Sequence, residues 1–275
     1  MLKRTFVGLA ALAFSLAAFG DDKIGNSKAP EIFKKVAAEL AKKKGYHVVE
    51  KATVPGLGGR GGGGMPGMQD QSFDGVVKYK DFAALKGAAE VYCKGAITLT
   101  KNPQGKYVEP KDLEGQDGMT AGAVRNPAVV YADALRFHGP ATFTGDEKFG
   151  EIDCKVAETW ADTASTEQQL KDVVKNIKLP AQAGNMDVMQ IVDKKKSQSA
   201  YKIWVGKEDL LFHKIEWTIT IAIDKTKVPG GFGAQLPDKL DAKVDIEIKD
   251  YDKDLDIEIP KEIKARFGLK DEPKK

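Results

Sequence analysis

Residues Leu210 to Asp224 alternate apolar and polar side chains over fifteen positions. No other stretch limits the fold so tightly. The odd positions are Leu211, His213, Ile215, Trp217, Ile219, Ile221 and Ile223, and the even ones are mostly polar. A period of two puts the odd set on one face of a β-strand. At ~3.3 Å per residue the run would reach about 50 Å, well beyond an average strand, so it has to bend around what it packs on. One apolar face with one polar face is the pattern of an antiparallel sheet, because parallel sheets are covered on both sides.

The rest of the chain reads as more strands with three helices between them. Helical spacing of Phe33, Val36, Ala37, Leu40 and Ala41 predicts a first helix, with Pro30 in its first turn and lysines 42 to 44 at its end. Strands are expected over 47–54, 73–80, 89–101 and 107–110. Asn126-Pro127 supplies a cap and a first-turn proline for a second helix reaching about Phe137. Strands at 141–144 and 151–160 follow it. Ser165 and Gln168 have capping-box spacing ahead of Leu170, Val173, Val174 and Ile177, which predicts a third helix ending at Pro180. Strands at 186–193 and 199–205 form a hairpin around three lysines, and Val244, Ile246 and Ile248 make the last long strand. Leu255, Ile257 and Ile259 continue it with shifted parity. With no βαβ rhythm, the fold class is α+β: a strongly curved antiparallel sheet whose concave apolar face is covered by the one-striped helices.

The first twenty residues have the three parts of a secretory signal: Lys3 and Arg4, an apolar stretch from Phe6 to Phe19, and small residues at Ala18 and Gly20. The apolar run is too short for the ~20 residues of a membrane span. The expected domain plan is therefore a signal peptide over 1–20 and one domain over 21–275, with its ordered core at about 30–262 and a glycine-rich hairpin tip at 56–68. The mature protein is expected in the periplasm or outside the cell, with no transmembrane anchor. Removing Lys3 and Arg4 lowers the net charge from +3 to +1. That balance offers nothing to nucleic acid, which calls for a strong basic excess.

Cys93 and Cys154 both fall on apolar strand faces. In an exported chain they permit one disulfide, the alternative being two buried thiols. Two thiols cannot complete a four-ligand zinc site, and His47, His138 and His213 lie far from both in sequence. No metal and no cofactor is therefore expected. Residues 56–61 spell the dinucleotide fingerprint, but more glycine, a proline and a strand follow where the mechanism needs a helix N-terminus. The acidic run from Asp250 to Glu258 has Ile257 and Ile263 where a calcium loop would need glycine and glutamate, so a solvated strand edge is expected. His213, on the apolar side of its strand, reads as a core histidine. No hydrolase or metalloprotease motif is present, and the chain reads as non-enzymatic.

The segment Tyr201-Lys202-Ile203-Trp204-Val205-Gly206, a short turn, and Leu210 to Glu216 resemble a hairpin of LolA-like and LppX/LprG-like bacterial lipoprotein carriers. The close, Asp245 to Tyr251 followed by Ile257-Glu258-Ile259-Pro260, is similar to their final strand pair. The resemblance covers the layout of residues 30 to 262. It lacks a lipobox cysteine, and the glycine-rich tip and both cysteines depart from the family pattern. What it implies is an open half-barrel that holds a lipid, acyl chain or lipoprotein between sheet and helices. The ligand would then touch Ile215, Trp217 and Ile219, under the helix bearing Val129 and Leu135. The alternative is a cell-envelope scaffold or interaction module with the same fold and a filled core.

Overall fold

The computed structural model describes residues 23–53, 71–78, 81–113, 121–122, 124–137, 139–174, 187–228, 236–253 and 255–270. The expected signal peptide and the glycine-rich tip lie outside them. Helix α1 (Ala29–Leu40) leads into strand β1 (Gly45–Thr53). Then come β2 (Gln71–Lys78), β3 (Phe82–Lys86), β4 (Glu90–Lys94), β5 (Ile97–Lys101) and β6 (Tyr107–Val108). Helix α2 (Pro127–Arg136), β7 (Thr142–Phe149), β8 (Ile152–Trp160) and helix α3 (Thr163–Val174) follow. The chain continues through β9 (Gln198–Gly206), β10 (Phe212–Ala222), β11 (Lys239–Tyr251) and helix α4 (Lys261–Phe267). No described helix is long and apolar enough to cross a membrane.

The eleven strands among the described residues form one open antiparallel sheet in the order β6-β5-β4-β3-β2-β1-β11-β10-β9-β8-β7. The chain walks from the middle to one edge, restarts at the opposite edge, and walks back until β11 pairs with β1. The link from β6 to β7 must therefore cross the whole width of the sheet, and α2 lies in that link. Helix α2 packs on β3 and β10, α3 on β9 and β10, and α1 against α2 and β7. Register shifts at His47/Val48, Phe143/Gly145 and Phe212/Lys214 are the bulges that let long strands bend around this cover.

The α+β class and the curved antiparallel sheet are as the sequence predicts. The one-sided burial is not. In β3, Ala83 and Leu85 join the main core under α1 to α3, while Phe82 and Ala84 join a second cluster with Tyr92, Leu99, Tyr107, Ile263 and Phe267. Neighbours in a strand point to opposite faces, so α4 covers the convex side of β3 to β6. The sequence reads residues 255–259 as strand, whereas β11 ends at Tyr251 and those residues lead into α4. The acidic run thus turns away from the sheet instead of edging it: Asp252, at φ 61°, accepts the Lys44 backbone N–H at 2.6 Å.

Smaller differences have local causes. The expected strand 89–101 is a hairpin, because Gly95 at φ 54° turns the chain between β4 and β5. Residues 188–190 form a 3₁₀ turn capped by Asp187, so 186–193 is not the strand expected there. Helix α3 starts ahead of Ser165, whose N–H is capped by Asp162 at 2.7 Å. Cys93 and Cys154 are free and buried, on β4 and β8 with six strands between them. Cys93 sits in the main core and Cys154 in a third cluster with Val156 and Trp204, so no disulfide joins them. Burial pushes both thiols up to about 12, which makes them poor nucleophiles.

Candidate functional site

Two cavities flank α2. The first, about 100 Å³, is lined from α2 by Asn126, Val129, Val130 and Asp133, from α3 by Gln169 and Asp172, and from the sheet by Thr98, Tyr201 and Trp217. The second, about 250 Å³, is a groove between α1 and α2. Its walls are Ala37, Leu40 and Ala41 on α1 and Ala128, Ala132 and Leu135 on α2; Tyr46, Val77 and Tyr131 also line it, with Lys43 and Lys44 at the end of α1. The two α2 sets, 126/129/130/133 and 128/131/132/135, are adjacent stripes at helical spacing. The helix is therefore a rib between the cavities, and the four alanines facing the groove leave it open.

The chain entering α2 is tied down by buried polar groups. The Asn126 side chain accepts the Ala128 N–H at 3.1 Å and donates to the carbonyls of Asp81 and Gly95 at 2.8 and 3.0 Å. One residue earlier, the Arg125 backbone N–H donates to Glu50 Oε1 at 2.8 Å. The Arg125 guanidinium donates to the Asp172 carbonyl at 3.1 Å and lies over the Trp217 ring at 5.7 Å. Glu50 is 0% exposed and its second oxygen, Oε2, has no partner among the described residues. Burial pushes its carboxyl up to about 8, against the lowering effects of the Arg125 backbone N–H and guanidinium. Farther along, Gln169 donates to Asp133 at 3.0 Å and to the Tyr201 hydroxyl at 2.8 Å.

The residues expected to meet a ligand separate. Ile215 and Ile219 are 0% exposed, belong to the packed core and line neither cavity. Trp217, held by its Nε1–H on Ser199 Oγ at 2.7 Å, lines the first cavity with Val129. Leu135 lines the groove on the other side of the rib. The bulge at Phe212/Lys214 also changes the start of the β10 alternation: Phe212, not His213, joins the core against Phe33 and Tyr131. His213 is nevertheless buried, at 4% exposure, and hydrogen-bonded to Asp209 at 2.9 Å, as expected of a core histidine; neither residue lines a cavity.

Sequence reasoning missed Glu50, Arg125 and the tyrosines of the groove. Glu50 carried a usable signal, since it shares a strand face with Val48 and Ala52 and so interrupts an apolar stripe with a carboxylate. No such signal marks the groove, which two helices distant in sequence build together. Among the described residues no group of three or more His, Cys, Asp or Glu is placed to hold a metal.

The layout is similar to that of three solved structures. LppX from Mycobacterium tuberculosis matches over 84% of this chain and 98% of its own, at 8% identity and a TM-score of 0.41. LprF from Mycobacterium bovis matches over 84% and 95%, at 13% identity and 0.35. A DUF1329 family protein from Desulfovibrio piger matches over 87% and 95%, at 10% identity and 0.32. The likeness at these values is one of fold. No family profile and no curated protein matches the sequence.

Proposed function

We propose that this is an exported, non-enzymatic binding or carrier protein for a hydrophobic ligand, and that the ligand lies between α1 and α2. The supporting observation is the groove itself: about 250 Å³ between α1 and α2, walled by alanines and leucines and larger than the cavity on the other side of α2. Ligand pockets typically run ~300–1,000 Å³ and are mostly apolar, so the groove suits one acyl chain and not a bundle of them. The full burial of Ile215 and Ile219 favours the second reading, a cell-envelope scaffold with a filled core, for the part of the sheet beneath α2.

Titration calorimetry with fatty acids, phospholipids and lipopeptides separates the two. A carrier gives saturable binding to at least one of them with a negative heat-capacity change, the mark of apolar surface leaving water. A scaffold gives no heat beyond dilution across the whole panel.

A further inference from the structure

We propose that the groove between α1 and α2 takes a single-chain amphiphile with a carboxylate head, a fatty acid, whose head is held by Lys44, Lys43 and the Tyr46 hydroxyl. This rests on the binding reading above and specifies its ligand. Lys43 and Lys44 line the groove and no Asp or Glu does, so its charge is of one sign. Lys43 is engaged by Asp252 at 3.4 Å and lies over the Tyr251 ring at 5.9 Å. Lys44 is exposed and makes no ion pair among the described residues, which leaves its ammonium to an incoming anion.

A second and independent observation lies two residues on. Tyr46 lines the groove at 5% exposure, and its hydroxyl has no hydrogen-bond partner among the described residues. The neighbouring Tyr131 shows the usual arrangement, with its hydroxyl bonded to Tyr251 and to the Phe212 N–H. A carboxylate at the Lys44 end would accept the Tyr46 O–H while facing the lysine ammonium. The chain behind it would lie between Leu40 and Leu135, along the alanines of both helices.

Decanoate, decanol and decylammonium share one chain and differ only in the head, so calorimetric titration of each isolates the head. Wild-type protein should bind decanoate at least about 5-fold more tightly than decanol, and decylammonium most weakly. The double variant Lys43→Gln/Lys44→Gln should weaken decanoate about 3- to 10-fold and leave decanol unchanged, and 0.5 M salt should do the same to the wild type. Tyr46→Phe keeps the tilted ring contact with Tyr131, centroids 5.6 Å apart, and should weaken decanoate alone. Equal affinities for decanoate and decanol, or a lysine variant that weakens both alike, would overturn the head assignment while leaving the groove a binding site. If none of the three binds, the binding reading fails and this inference with it.

Discussion

Replacing Glu50 with glutamine should stabilise the protein by about 3–5 kcal/mol at pH 9 and leave it nearly unchanged at pH 4. The carboxyl titrates at about 8 in the fold against an ordinary 4.5, and each unit of difference is worth about 1.4 kcal/mol. The folded state therefore holds this proton more tightly than the unfolded chain does. Its contribution is fully present below about pH 4.5, declines as pH rises, and is gone above about pH 8. The cause is burial: Glu50 is 0% exposed, with one oxygen on the Arg125 N–H and the other without a partner. The groups that bear on the site are Arg125, the Cys93 thiol and, through Arg125, Asp172. Glutamine keeps an acceptor for Arg125 without a charge to bury. Urea unfolding of both proteins from pH 4 to pH 9 reads the effect as their difference, in which all other titrating groups cancel. Parallel curves would mean that Glu50 ionises without cost and does not hold the entry to α2 through its proton.

Gly75→Ala should cost about 3 kcal/mol, although it adds one methyl group in the middle of β2. A Cβ built there would collide with the Ala84 carbonyl oxygen and stand 2.8 Å from the Leu85 Cα, both of them backbone atoms of the neighbouring strand. Side chains can give way to such a group, but ladder backbone can move only by breaking the β2–β3 pairing, in which Gly75 faces Leu85. Gly139→Ala is the matched control, since nothing lies within 4 Å of its Cβ position, and it should stay within about 0.5 kcal/mol of wild type. Comparable losses at the two sites would point to a general glycine effect in place of a collision.

Some of this fold is written plainly in the chain. Asn126-Pro127 announced α2 to the residue, and the alternation through Ile215, Trp217, Ile219 and Ile221 produced the central strand β10. What the pattern could not carry was anything set by a distant partner. The bulge at Phe212/Lys214 is a property of how β10 meets β9, so parity alone put His213 where Phe212 sits. Ile257 and Ile259 alternate as a strand would, yet they run under β3 to β6 because α4 needs a route to the convex face. Phe82 to Leu85 went unread because four apolar residues in a row show no alternation when both sheet faces are covered.

The site follows the same division. Of the five residues the sequence points to as ligand-facing, Val129, Leu135 and Trp217 line cavities, on two sides of one helix, while Ile215 and Ile219 line neither. That division arises because the chain must recross the sheet between β6 and β7, laying α2 over the middle of the concave face. Helical spacing then assigns adjacent stripes of α2 to the first cavity and to the groove.

Native mass spectrometry tests ligand binding in that groove most directly. The protein is purified without detergent, stripped of lipid by unfolding and refolding, and titrated with decanoate alongside the variant Leu135→Trp, whose larger ring fills the space between α1 and α2. The expected result is a single-ligand adduct on the wild type that saturates at one per chain and is lost, or weakened at least about 10-fold, in Leu135→Trp. An unliganded mass at every concentration, or the same adduct on both proteins, would contradict binding in the groove.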